Sequence, residues 1–200
     1  SDPDPLVLLL PGSRSQEIDG ILGTLVRAAA EIRRREPRAR FALGALHERH
    51  AQRMADLLRA AGGGTDAPAI EIHVGRTRSL IREASAAIAC SGSVSLELLS
   101  ARVPTVIVYR ISGVAYVVQS FFRRARFITL VNLLAVPAPV GPVQRQWWPP
   151  QRVPTADPQA VYPEYLTVQD PALPAAAHVV SWLEDPAARE RVVARLDALA

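Results

Sequence analysis

Two short segments hold residue types suited to gripping a phosphate. The first is Pro11-Gly12-Ser13-Arg14, directly after an apolar run. Gly12 permits a tight turn and a close backbone approach. Ser13 is placed to cap a following helix, with Gln16 at the capping-box position. Arg14 offers a planar fork of donors that matches phosphate geometry. The second segment is Ser91-Gly92-Ser93-Val94-Ser95-Leu96-Glu97. Its small residues leave backbone amides open to an anion. Glu97 follows Ser93 by one helical turn and so shares its face, where a carboxylate can accept two hydroxyl hydrogen bonds from a ribose. Each segment alone is also what an ordinary strand-to-helix turn looks like, with a solvated arginine or an exposed glutamate. Two of them on one sheet predict a nucleoside diphosphate site.

Other chemistries find less support. No G-x-x-x-x-G-K loop, no G-x-G-x-x-G fingerprint and no G-x-S-x-G elbow occurs. His47 and His50 can share a helix face, but no carboxylate completes a familiar metal pattern around them. His73 ends a strand, and structure explains it as well as a cleft does. Cys90, the single cysteine, excludes an internal disulfide and reads as a small buried residue. Trp147 and Trp148 suit packing on another part of the protein or a membrane interface.

The elements that must position these loops follow from hydrophobic spacing. Pro5 to Leu10 is a short non-alternating apolar run, as in a strand buried on both faces. Ile18, Ile21, Leu22, Leu25, Val26, Ala29 and Ile32 then recur at helical spacing and end near Pro37. Strands are expected at 41–46, 70–74, 86–89 and 105–109. Helices are expected around Met54, Leu57, Leu58 and Ala61, over 80–84 and over 93–101. Gly113 to Phe122 reads as helix and Phe127 to Val131 as a last strand. The segment 136–174 is proline-rich and without period, expected as an extended surface stretch, and 175–200 returns to helix. Strands alternating with helices predict an α/β fold, a doubly wound Rossmann-like parallel sheet, with its core in 1–135.

Composition sets the outer bounds. The 200 residues are 49% hydrophobic and 21% charged, which excludes a disordered chain and suits one sizeable core. No run of about 18 apolar residues is present to span a membrane. The start lacks a methionine and a signal-peptide core and enters an apolar run at once, so the chain is expected to be part of something longer. The net charge of +4 does not point to nucleic acid. Every basic residue is arginine and none is lysine, a bias of usage rather than a mark of a partner, and no nucleic-acid binding is expected.

Five motifs, in order, resemble the C-terminal half of the lipid-A-disaccharide synthase family. They are Leu9-Leu10-Pro11-Gly12-Ser13-Arg14-x-x-Glu17-Ile18, Ser91 to Glu97, Pro104-Thr105-Val106-Ile107-Val108-Tyr109-Arg110, Val131-Asn132-Leu133-Leu134-Ala135 and Pro163-Glu164-Tyr165-Leu166. Order and approximate spacing agree through Ala135, and a longer linker precedes the fifth. The resemblance implies the C-terminal UDP-sugar-binding domain of a two-domain GT-B glycosyltransferase. Such enzymes move 2,3-diacylglucosamine from its UDP carrier to 2,3-diacylglucosamine 1-phosphate, giving the disaccharide phosphate and UDP. No metal or organic cofactor is implied. The implied setting is the cytoplasmic face of a bacterial inner membrane. The implied partners are the UDP-diacylglucosamine donor, the lipid acceptor and an N-terminal domain that supplies the general base, so donor binding without turnover is expected of these residues alone.

Carried over by residue, Arg14 meets the diphosphate or the leaving group. Gly12, Ser13, Ser91, Gly92 and Ser93 serve the phosphates, and Glu97 holds the ribose. Tyr109 and Arg110 line the cleft, and Asn132 lies in a motif tied to donor binding or activity. Ser93 stands for the usual threonine and keeps a hydroxyl. Thr167 stands where the family commonly has glutamine, which weakens the case for a donor contact there. Phe121-Phe122-Arg123-Arg124 and Arg126 form an arginine-flanked apolar stretch suited either to an anionic lipid surface or to core packing beneath a basic patch. Rival readings are another UDP-sugar GT-B enzyme, akin to the peptidoglycan N-acetylglucosaminyl transferase or an epimerase, and a non-catalytic nucleotide-binding domain.

Overall fold

The computed structural model describes residues 4–60, 68–90, 92–110, 127–136 and 156–200. Five strands and the helices between them come first: β1 Leu6–Leu10, α1 Ser15–Arg35, β2 Arg40–Ala45, α2 Glu48–Ala60, β3 Ile70–Val74, α3 Thr77–Glu83, β4 Ala84–Ala89, α4 Val94–Ser100 and β5 Thr105–Arg110. Then follow α5 Leu130–Ala135, β6 Glu164–Thr167, α6 Ala172–Glu184 and α7 Pro186–Asp197. The strands form one parallel sheet in the order β3-β2-β1-β4-β5-β6. This is the doubly wound Rossmann order, as expected from the alternation of elements.

All five residues of β1 are buried, because β1 lies inside the sheet with β2 on one side and β4 on the other. Val7 and Leu9 pack into one core with Phe41, Leu43, Ile88 and α1. Leu6, Leu8 and Leu10 pack into the opposite core with Ala87, Ala89, Leu98 and Ile107. A strand with two buried faces has no polar face to show, which is why its sequence does not alternate. On α1 the buried residues are Ile18, Ile21, Leu22, Leu25, Ala28, Ala29 and Ile32, together with Thr24. The helix stops before Pro37, whose predecessor is pushed out of helical backbone.

Two expectations are corrected. Phe127 to Val131 is not a strand. Thr129 caps α5, its side chain accepting from the Asn132 amide, and the helix begins at Leu130. The sixth strand instead comes from Glu164–Thr167, pairing with β5 from Ile107↔Glu164 to Arg110↔Thr167. The sheet therefore reaches past residue 135 into the proline-rich stretch. The helix expected over 113–122 and the segment around Trp147 and Trp148 lie outside the described residues, as do Phe121, Phe122, Arg123, Arg124 and Arg126.

Helix α6 lies against α1 and is fastened there at its start. Asp170 accepts from Thr24 Oγ1 at 2.8 Å, from Arg27 Nε at 2.5 Å and from the Ala172 amide at 3.3 Å. Burial works to raise the Asp170 pKa, but the bonds from Arg27 and Thr24 outweigh it and hold the carboxyl below its ordinary value. Farther along α6, His178 Nε2 sits 2.9 Å from the Tyr165 hydroxyl, and burial pushes the His178 pKa down.

Candidate functional site

The turn after β1 and the turn after β4 lie side by side because β1 and β4 are neighbours in the sheet. This is the topological switch point of the fold, where open α/β sheets bind ligands. Between the turns is a cleft of about 350 Å³. Gly12, Ser13, Arg14 and Glu17 line one wall, and Gly92, Ser93, Val94 and Glu97 line the other. Leu10 and Cys90 contribute to it, as do Gly44 and Leu46 at the end of β2 and Thr77 at the start of α3. Gly44 keeps this end open. A Cβ there would lie 2.8 Å from Leu10 Cδ2 and 3.2 Å from Thr77 Oγ1.

The first wall is built differently from the expectation. The N-cap of α1 is Arg14, not Ser13, and the capping residue is Glu17, not Gln16. The Glu17 carboxylate reaches back over the turn. Its Oε2 accepts from the Ser13 amide at 2.9 Å and the Arg14 amide at 3.2 Å, while Oε1 accepts from Arg14 Nη1 at 3.1 Å. An ionised acceptor at a helix start is favoured by the dipole and by unsatisfied amides. Gly12 is required here twice over. Its φ is +108°, and a Cβ would lie 2.4 Å from Glu17 Oε2. Arg14 itself is 80% exposed.

On the second wall, Ser93 precedes α4 without a side-chain cap bond. Ser95 is buried, and its hydroxyl donates to the Gly92 carbonyl at 2.8 Å, which holds the turn. Glu97 is half-exposed and pairs with Arg78 Nε at 3.5 Å. Ser91 lies outside the described residues.

Tyr109 and Arg110 are not in this cleft. They line a second one of about 250 Å³, between α1 and the end of β5, which shares Arg14, Glu17 and Cys90 with the first. Arg14 and Glu17 thus stand at the junction of the two.

Asn132 is corrected more strongly. It is fully buried and lines neither cleft. Its Nδ2 donates to the Tyr162 carbonyl at 2.7 Å and to Glu164 Oε1 at 2.8 Å. Its Oδ1 accepts from the Val161 and Tyr162 amides at 2.8 and 2.9 Å. An amide side chain has two donors and two acceptor sites, and all are used, which leaves nothing for a donor or for catalysis. The Glu164 carboxylate also accepts from the Ile128 amide at 2.7 Å, the Thr129 amide at 2.9 Å and the Thr129 hydroxyl. Two of the five sequence motifs therefore hold each other. Thr167 is likewise buried, with its hydroxyl accepting from the Gln169 amide at 2.9 Å.

Sequence spacing missed Gly44 of β2 and Thr77 and Arg78 at the start of α3, which carry no motif. Glu17 was within a motif, and its position three residues after the N-cap was the signal for its role. Of the histidines, His73 bonds to Glu71 at 3.0 Å, and His47 and His50 have rings 5.4 Å apart. Among the described residues, no group of three or more His, Cys, Asp or Glu is arranged to hold a metal ion, and no helix is long and apolar enough to cross a membrane.

Comparison with known proteins adds to this geometry. The family model described as Lipid-A-disaccharide synthetase matches residues 2–140, most of the chain. The chain belongs to this family. Among curated members, the lipid-A-disaccharide synthase of Thiobacillus denitrificans is 31% identical over 195 residues, covering 98% of this chain and 45% of the relative. That of Coxiella burnetii is 33% identical over 141 residues, covering 70% of this chain and 35% of the relative. The chain thus spans less than half the length of these family members. Solved structures share the fold. An O-GlcNAc transferase mutant from Thermobaculum terrenum aligns with a TM-score of 0.52 at 14% identity, over 100% of this chain and 32% of that one. A putative UDP-N-acetylglucosamine 2-epimerase from Listeria monocytogenes aligns with a TM-score of 0.50 at 11% identity, over 96% of this chain and 40% of that one. The fold class is α/β, of the kind found in GT-B glycosyltransferases.

Proposed function

We propose that this lipid-A-disaccharide synthase family chain supplies the donor site for a glycosyl transfer in lipid A biosynthesis. In this reading, UDP-2,3-diacylglucosamine binds with its nucleotide in the 350 Å³ cleft. The acceptor, 2,3-diacylglucosamine 1-phosphate, attacks C1 of the donor sugar through its 6-hydroxyl. The new β-1,6 glycosidic bond forms as the bond from C1 to the diphosphate oxygen breaks, and UDP leaves with the electron pair. The hydroxyl proton goes to a base on an N-terminal domain, a partner of this chain. The reaction takes place on the cytoplasmic face of the inner membrane.

The observation that carries the reading is the meeting of Gly12–Arg14 and Gly92–Glu97 across one cleft at the switch point. Arg14 is exposed and cationic where a diphosphate would lie, and fixed charge at a departing oxyanion is an effective way to lower a transfer barrier. Glu97 stands one turn into α4, suited to two ribose hydroxyls that would replace its exposed partner Arg78. Ser91, Gly92 and Ser93 serve the phosphates in the same reading.

Calorimetric titration with UDP tests it. The parent is expected to bind, and Arg14→Ala and Glu97→Ala each to weaken binding by about tenfold, the equivalent of ~1.4 kcal/mol for a lost charged hydrogen bond. A folded parent that ignores UDP, or variants that bind as the parent does, would refute the site. Equal affinity for UDP-N-acetylglucosamine and the acylated donor would favour a different UDP-sugar enzyme.

A further inference from the structure

The turn after β1 looks like an anion cradle, yet its amides are already taken. Glu17 Oε2 accepts from both Ser13 and Arg14 backbone N–H groups, and Oε1 takes one nitrogen of the Arg14 guanidinium. Only 14% of the Glu17 side chain is exposed, and the Gly12 Cα has no room for a side chain against it. The carboxylate is thus built into the turn. A phosphate arriving there meets neither amide. It meets what remains of Arg14, whose Nε and Nη2 have no partner among the described residues.

We propose that Glu17 is a positioning residue. It closes the Gly12 turn and holds Arg14 by one nitrogen, so that the other guanidinium nitrogens are presented to the diphosphate. This rests on the donor-site reading above. A free arginine side chain loses about 2 kcal/mol of rotamer freedom when a ligand orders it. An arginine already restrained loses less, and the difference appears as affinity. Glu17 also lines both clefts, so the same contact fixes Arg14 at their junction.

Removing Glu17 has two opposed effects on a bound diphosphate. It frees Arg14, which weakens binding, and it removes a nearby negative charge, which strengthens binding. The two separate in a double-mutant cycle, because only the charge effect survives when Arg14 is absent. Glu17→Gln is the variant of choice. Its amide oxygen still accepts from Ser13 and Arg14, preserving the turn, while its amide nitrogen cannot accept from the guanidinium.

The experiment measures UDP affinity for the parent, Glu17→Gln, Arg14→Ala and the double variant. The change caused by Glu17→Gln is expected to be about three- to fivefold less favourable in the parent background than in the Arg14→Ala background, the scale of an exposed ion pair. Equal changes in the two backgrounds, within twofold, overturn the proposal. A second measurement needs no ligand. The Nε–Hε order parameter of Arg14, read by NMR, is expected to fall in Glu17→Gln while the backbone order of residues 12–14 stays at its parent value. An unchanged Arg14 order parameter overturns the proposal even where UDP binds. A parent that fails to bind UDP refutes the donor site, while the NMR result still decides whether Glu17 holds Arg14.

Discussion

Asn132 and Glu17 show how far a residue type can stand from its task. An asparagine within a motif invites a catalytic reading, yet this one spends both donors and both acceptor sites on the chain that leads into β6. Asn132→Ala is expected to cost roughly 3 kcal/mol, since several buried groups lose partners at about 1–3 kcal/mol each and water replaces only some. Chemical denaturation measures it, and UDP affinity of the folded fraction is expected to stay within about twofold of the parent, well short of the tenfold expected for a lost ligand contact. Full stability with lost UDP binding would restore the catalytic reading. Sequence could not reveal this role, because the partners of Asn132 lie some 30 residues downstream, across a stretch whose composition carries no period. Gly12 and Arg14 were legible as the turn between strand and helix, because a glycine there marks a tight connection. The step from Arg14 to Glu17 was half-legible. A glutamate at the third helical position is a capping signature, but that it also holds a guanidinium is a matter of geometry.

Among the elements, β1, β2, β4 and β5 were readable from short apolar runs and β3 from its alternation of isoleucine with polar residues, and the helices after β1 to β4 lie between them in the sequence. The sixth strand was not. Glu164–Thr167 has four residues, alternately half-buried and buried, too short a run to register against a proline-rich background. The apolar stretch 127–131 read as a strand because short apolar runs do not distinguish strand from helix; Thr129 as N-cap decides for helix. The clasp between α1 and α6 was also hidden, being made by residues more than a hundred positions apart. Asp170→Ala is expected to lower stability by about 1 kcal/mol, a charged hydrogen bond discounted for partial exposure. The pH dependence has a definite sign. The folded Asp170 pKa lies below its unfolded value of about 3.8. Its contribution is therefore whole above pH 4 and is lost as pH falls through the folded value. Melting curves of parent and variant are expected to differ at pH 6 and to draw together as pH falls below 3.8 through the folded value; a constant difference would place the effect in packing instead.

For the whole molecule, one topological fact makes the site. The loops after β1 and β4 are distant in sequence and adjacent in space because the sheet winds outward in both directions from between those strands. That much follows from alternating strands and helices. What the sequence did not divide is the site itself, since Tyr109 and Arg110 fall into a second cleft that meets the first at Arg14, Glu17 and Cys90. Acid stability is a property of the same scale, summed over buried groups. Burial lowers the His178 pKa, and burial, helped by Arg49 and His47, lowers that of His50. A folded histidine pKa below the unfolded value of about 6.5 means that the unfolded chain binds protons first. The contribution of these two histidines is then expected to be full above pH 7 and to decline as pH falls through 6.5 toward the folded values. His178→Gln, which can still bond the Tyr165 hydroxyl, is expected to flatten part of that decline in thermal melts between pH 7 and 5. A variant with the parent's slope would show that His178 titrates alike in both states.

The grip of Asn132 and Glu164 on the entry to β6 also bears on solubility. β5 reads Thr-Val-Ile-Val-Tyr-Arg, an apolar segment rich in β-branched residues, the kind that pairs readily with foreign strands when its edge is bare. It is made more than fifty residues before the strand that covers it. From then until Glu164–Thr167 is in place, one row of its backbone donors and acceptors is open to any neighbouring chain. The covering strand is short, which makes it a poor template for further pairing, and it is pinned from its first residue by side chains of α5 and its cap. A polar network away from the cleft thus has a second consequence, that of keeping the β5 edge of the newly made protein from remaining exposed.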